Sequence, residues 1–247
     1  MKNSHIQMPK TVLKEFENKE KRCLYYYSFA DQKIHRGHAK TLNTELGYYS
    51  DSTEDFLSKK IETKLGMLIS QLKLMSFENG EIAPKEYEEV AFSYIYSLIS
   101  RSSSFFESMK ASSTFFQLFD VTSQHDVAAQ NGYVTACELG LLKNYKVGFV
   151  LNEAEESMVI PTGGVVQLGM SLYCPLTPRR GICFISSANK KFYADNQIPV
   201  MSIGDEMINK INVMSFKQER ERDKGYIASD RYETLSGLVT NCLISLQ

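Results

Sequence analysis

From Ser52 onward the apolar positions fall at helical intervals. Leu57, Ile61, Leu65, Leu68, Leu72 and Met75 form one stripe, which predicts a long helix with Thr53 as its N-cap and Glu54 and Asp55 in its first turn. After a break at Asn79, Gly80 and Pro84, the pattern repeats through Tyr87, Val90, Ala91, Tyr94, Ile95, Leu98 and Ile99. This predicts a second long helix antiparallel to the first. Between Ser157 and Ser186 the pattern changes to short apolar runs separated by Pro161-Thr162-Gly163-Gly164 and Pro175-Leu176-Thr177-Pro178, the punctuation of strands joined by turns. The two glycines predict a hairpin folding residues 158–160 back onto residues 165–168. Ile182-Cys183-Phe184-Ile185 has no polar alternation and predicts a strand covered on both faces, the middle of a sheet on which the helices lie.

Elsewhere the signals are shorter. Pro9 with Val12, Leu13 and Phe16 predicts a short helix, and residues 23–29 predict an aromatic-rich strand followed by a turn at residues 30–33. Residues 34–50 show no decisive period. The serines of residues 100–113, set among phenylalanines, predict helix ends capped by hydroxyls. Residues 128–142 read as a helix broken at Gly140, residues 145–151 as a strand, and residues 187–197 as a polar loop. Residues 200–203 read as a strand or a lead into the helix of residues 206–222; a strand at 225–228 and a helix at 233–246 close the chain. The expected fold is one α+β domain over residues 1–247, a central mostly antiparallel sheet with two long antiparallel helices packed on it.

Composition narrows the function. With 43% apolar residues, 14 Phe and 14 Tyr, the chain can fill a substantial core. Twenty-eight Lys and Arg against 29 Asp and Glu leave a formal charge of -1, so no global field draws it to nucleic acid or an anionic membrane. Five scattered cysteines (Cys23, Cys137, Cys174, Cys183, Cys242) fit reduced, buried thiols of a cytosolic protein. The start lacks the apolar core of a signal peptide and no apolar run approaches spanning length, so a cytoplasmic location and no membrane partner are expected.

The order of several short motifs resembles the bacterial domain of unknown function 4238 family over nearly the whole chain: His5-Ile6-Gln7-Met8-Pro9 followed by Leu13-Lys14-Glu15-Phe16, then Gly47-Tyr48-Tyr49 before a helix carrying Lys60-Ile61-Glu62. Arg101 followed by Ser102, the turn Leu176-Thr177-Pro178 after Cys174-Pro175, and Ile211-Asn212 continue the match. Where such relatives carry serine-aspartate and then proline before that turn, this chain has Pro161-Thr162-Gly163-Gly164. The resemblance implies a fold and leaves mechanism open.

Candidate chemistry rests on His5, Glu62 and Arg101. A histidine, a carboxylate in mid-helix and an arginine at the end of the neighbouring helix supply an acid, a base and an anion holder. The expectation they raise is a hydrolase acting on nucleic-acid phosphodiesters, with nucleic acid as partner; the competing expectation is a non-catalytic protein-protein interaction module of a bacterial accessory system. A plainer account of the trio is a Glu62–Arg101 ion pair orienting the helices, with His5 bonded to a backbone carbonyl. No cofactor motif or zinc-ligand cluster is present, so no cofactor or metal is expected. His35 and His38 read as surface histidines, His125 and Asp126 as neighbours that do not face each other, and Arg179-Arg180 as a solvated turn. The run from Lys210 to Lys224 is nearly charge-balanced and reads as an exposed helix.

Overall fold

A computed structural model describes residues 3–75, 86–114, 116–186, 198–222 and 225–244. The expected break at residues 79–84 and the polar loop at 187–197 lie outside the described residues, as do Lys224 and the last two residues of the helix expected at 233–246. The chain begins with β1 (Asn3–His5), α1 (Lys10–Leu13), β2 (Leu24–Ser28), β3 (Lys33–Gly37) and β4 (Thr44–Leu46). The helical middle comprises α2 (Asp51–Leu57), a π-helical turn (Ser58–Glu62), α3 (Thr63–Leu74), α4 (Glu86–Ser100), α5 (Ser103–Ser112) and α6 (Val121–Leu139). Then come β5 (Tyr145–Asn152), β6 (Ile160–Pro161), β7 (Val166–Leu168), β8 (Ser171–Thr177), β9 (Arg180–Ser186), β10 (Val200–Ile203), α7 (Asp205–Arg220), β11 (Tyr226–Ser229) and α8 (Tyr232–Ile244).

The fold is α+β, with helices mixed among largely antiparallel sheets. A five-stranded sheet has the order β10-β5-β9-β8-β7, and only the β10–β5 pair is parallel. The unbroken apolar run became β9, buried in the centre of this sheet as its lack of alternation demanded. A second sheet, β3-β2-β11-β6, is antiparallel throughout, and β1 pairs with β4. The expected hairpin is not formed: β6 pairs with β11, whereas β7 pairs with β8, so the glycine turn hands the chain from one sheet to the other. Gly164 closes that turn with φ +69 and donates to the Pro161 carbonyl at 2.9 Å.

Both long helices join the largest core, where Leu65, Leu68, Ile69 and Leu72 of α3 and Ala91, Tyr94, Ile95 and Leu98 of α4 meet Val147, Phe149, Ile182 and Phe184 of the five-stranded sheet. Each buried aliphatic contributes about 1.5–3 kcal/mol, which outweighs the roughly 1 kcal/mol that Gly66 costs in mid-helix. On the second sheet, Tyr25, Tyr27 and Ile227 pack against Phe216 of α7 and Leu235, Leu238 and Val239 of α8. The helix start differs from expectation in one detail: Ser50, not Thr53, is the N-cap, its hydroxyl accepting from the Thr53 amide at 3.4 Å. Gly140 ends α6 in the left-handed region, and Ser102 caps α5. Cys23, Cys174, Cys183 and Cys242 are buried as expected, but Cys137 is exposed.

Asn212 joins α7 to the strand entering the second sheet. Its Oδ1 accepts from the Val159 amide at 2.9 Å and its Nδ2 donates to the Ser157 carbonyl at 2.9 Å, all of it buried. Asn212→Ala strands both backbone groups away from water. The expected cost is about 2 kcal/mol, read as a melting temperature roughly 4–8 °C lower. A variant that melts with the wild type would show those groups to be satisfied by other means.

Candidate active site

Arg101 stands where α4 gives way to α5. Its amide closes the last turn of α4 on the Ser97 carbonyl at 3.1 Å, and Ser102 then starts the next helix, so the side chain turns inward and is only 5% exposed. Nε donates to the Ile6 carbonyl at 3.2 Å and Nη2 donates to the His5 carbonyl, while the guanidinium lies 5.6 Å from the centre of the Tyr49 ring. Tyr49 donates its hydroxyl to the same Ile6 carbonyl at 2.8 Å, and Gln7 Nε2 donates to the Leu98 carbonyl at 3.2 Å. Residues 5–7 are therefore strapped across the end of α4. Among the described residues the buried Nη1 of Arg101 has no hydrogen-bond partner.

His5 ends β1, where it pairs with Thr44. Its Nε2 is 2.8 Å from the Ala39 carbonyl, which only accepts, so Nε2 carries the proton and Nδ1 keeps a lone pair. Burial holds the imidazole below its ordinary 6.5; the Ala39 bond opposes this, Arg101 and Lys10 reinforce it, and Glu54 opposes it.

Glu62 closes the π-helical turn. Leu57, Ile61 and Leu65 recur every fourth residue, a spacing that drifts around an ordinary α-helix, and all three are buried. The wider turn takes up this drift, and such turns recur at functional sites. Burial raises the half-buried Glu62 carboxyl above its ordinary 4.5, Arg101 pulls it back, Glu54 adds to the rise and Lys10 opposes it.

His5, Glu62 and Arg101 are thus brought into one electrostatic neighbourhood, together with Lys10 and Glu54, which sequence reasoning missed as site residues. Of the plainer account, the His5–carbonyl bond is found, but the Glu62–Arg101 ion pair is not: among the described residues no ion pair within 4.0 Å joins any of these five groups. Arg101 satisfies backbone carbonyls instead. Two surface cavities, of about 630 and 370 Å³, lie elsewhere and are lined by none of the five. Among the described residues no group of three His, Cys, Asp or Glu side chains is placed to hold a metal ion.

The other candidates have structural employment. His35 bonds Asp31 at 2.7 Å and stacks on Tyr26, while His38 is exposed. His125 is sandwiched between Tyr48 and Phe106, at 3.7 and 4.4 Å between ring centres, and Asp126 turns away to accept from the Ser50 amide. Arg179 and Arg180 are not a simple solvated turn: Arg179 grips the carbonyls of Ala154 and Glu155, and Arg180 Nε donates to the Leu72 carbonyl at the end of α3 at 3.0 Å. Lys210 pairs with Glu206 on the outer face of α7, but the helix is not simply exposed: Ile211, Asn212, Ser215, Phe216 and Glu219 are buried on its inner face. At the Pro161–Gly164 turn a carboxylate is supplied from α7, where buried Glu219 accepts from the Gly163 amide at 3.1 Å and faces Arg222.

No family model matches the chain, and neither does any curated protein or solved structure.

Proposed function

We propose that this chain is a hydrolase of nucleic-acid phosphodiesters, a member of the bacterial domain of unknown function 4238 family, with His5, Glu62 and Arg101 as its catalytic residues. One observation carries the reading: Arg101, Lys10 and Glu54 lie within electrostatic reach of both His5 and Glu62, and among the described residues no ion pair within 4.0 Å joins any of the five and a buried Arg101 nitrogen has no hydrogen-bond partner. The plainer structural account needs a Glu62–Arg101 ion pair, and among the described residues none forms within 4.0 Å. In the proposed step water attacks phosphorus while His5 Nδ1 takes its proton. The bond from phosphorus to the leaving oxygen breaks, and Glu62 gives that oxygen its proton. The buried Arg101 guanidinium steadies the charge gathering on the phosphoryl oxygens through its field. The products are an alcohol and a phosphomonoester, and solvent returns the proton from His5 to Glu62.

The pH profile follows from the two shifts. Activity needs His5 neutral, so it rises through a histidine value held below 6.5; it also needs Glu62 protonated, so it falls through a carboxyl value held above 4.5. A bell-shaped rate is expected, with the acid limb lost in His5→Ala and the alkaline limb lost in Glu62→Gln. Each variant should lose about a hundredfold or more in kcat. Cleavage of RNA and DNA oligonucleotides across pH checks this. Equal background cleavage by folded wild type and both variants would remove the hydrolase.

The non-catalytic reading, a module that binds a protein partner, draws on a different observation. Leu46 and Val121 are largely exposed, and a hydrogen bond from Thr122 to the Gly47 carbonyl at 3.1 Å holds their segments side by side. If cleavage fails, that surface is where a partner should be sought.

A further inference from the structure

Among the described α-helices, α5 alone buries no residue. Its inward side consists of Phe105, Phe106 and Met109, all half-buried. Two of these reach α6. Gly132 leaves room for the Phe105 ring, which would stand 2.5 Å from a β-carbon there, and Phe106 stacks on His125 with ring centres 4.4 Å apart and planes at 23°. A helix attached by so little apolar surface belongs to the part of a fold that opens first.

His125 is the centre of that attachment. Tyr48 covers its other face at 3.7 Å and 25°, so the imidazole is the middle ring of a stack drawn from the segment before α2, from α6 and from α5. Tyr49 meets it edge-on at 6.5 Å. Among the described residues neither ring nitrogen has a hydrogen-bond partner, and neither is a fully enclosed atom. The faces are therefore covered while the nitrogens reach water, and a proton can arrive without the stack opening first.

The stack favours the neutral ring. Burial holds the imidazole below its ordinary 6.5, and the Glu45 and Asp126 carboxylates, from β4 and α6, oppose this. No charged group of α5 acts on it, and burial raises the hydroxyls of Tyr48 and Tyr49, which stay neutral. An unstacked imidazole in water takes its proton at the ordinary value. The closed form is thus fully favoured above about 6.5 and loses ground as pH falls below it.

We propose that His125 is a proton-operated latch: neutral, it holds α5 against α6, and protonated, it releases the helix and bares Phe106 and Tyr48 beside the exposed Leu46 and Val121. The latch is independent of the hydrolase reading.

Amide hydrogen exchange of the full chain at about pH 7.5 and about pH 5, corrected for intrinsic exchange, reads the latch directly. In the wild type, protection of residues 103–112 is expected to fall at least about threefold at the lower pH while protection of β9 holds level. His125→Phe keeps three stacked rings without a titrating group, so its α5 protection should be the same at both pH values. A wild type with no fall, an equal fall in α5 and β9, or an equal fall in His125→Phe overturns the latch. NMR titration of the His125 ring in Phe106→Ala tests it with the histidine in place. Uncovered on one face, the imidazole should titrate closer to 6.5 than in the wild type, and an unmoved titration also overturns the latch.

Discussion

Arg101→Ala is expected to cost about 3–5 kcal/mol of folding free energy and to lower the melting temperature by roughly 6–20 °C. The loss is not that of an ion pair, since no carboxylate lies within 4.0 Å of Arg101 among the described residues. It is the loss of two charge-assisted bonds to the carbonyls of His5 and Ile6, in a place only 5% exposed, with the Tyr49 ring losing its cation as well. The strap of residues 5–7 would keep the Tyr49 hydroxyl, the Gln7 amide, the Ile6 amide bond to the Asn43 carbonyl and the His5–Ala39 bond, and lose both guanidinium bonds. Arg101→Lys should recover little, because a point-like ammonium cannot reach two carbonyls and face the ring at once. Urea or thermal unfolding of both variants checks this. If both melt within about 2 °C of the wild type, the strap is held some other way. Because the residue also holds the strap that bears His5, its activity loss says little about chemistry; His5→Ala and Glu62→Gln carry that question.

The long apolar stripes were legible because helix burial is periodic and local, and both helices formed with the predicted residues inward. The glycine turn was legible as a turn, but not for what it joins. Turn chemistry fixes the reversal at Gly163-Gly164 and leaves partner choice to the rest of the fold, and here β11, far along the chain, captured β6. Residues 34–50 gave no period because β3 and β4 are short and bury no residue fully, which leaves little inward face to write a pattern. For the site, Arg101 stands within electrostatic reach of both His5 and Glu62, while the ion pair expected between Glu62 and Arg101 did not form among the described residues. Backbone carbonyls at the end of β1 compete for the same guanidinium, and no side-chain pattern records them. Lys10 and Glu54 were passed over since a charge at a helix start is ordinarily solvated. The every-fourth spacing of Leu57, Ile61 and Leu65 was the one written trace of the π-helical turn that carries Glu62.

The turn between the sheets also reaches this site. Gly164→Val should cost about 3–5 kcal/mol, for two separate reasons. At φ +69 a residue with a β-carbon sits in the left-handed region, at about 1–2 kcal/mol and more when β-branched. The new β-carbon would also stand 2.5 Å from the Met8 methyl and 2.9 Å from a Leu98 methyl, both fully enclosed, so overpacking adds roughly 1–3 kcal/mol. Gly163→Ala next door is the control: its β-carbon meets the Arg222 guanidinium at 2.8 Å, but that side chain is 38% exposed and can swing into water. Thermal melting should therefore rank wild type, Gly163→Ala and Gly164→Val in falling order, the last lower by roughly 6–20 °C. Met8 continues the strap that bears His5, and Leu98 supplies the carbonyl that Gln7 holds. Pushing them apart loosens the enclosure that keeps the imidazole below 6.5, so in Gly164→Val the His5 titration followed by NMR should move up toward its ordinary value. A melting temperature lowered without that movement would separate the turn from the site, and an unchanged melting temperature would mean that Met8 and Leu98 repack freely.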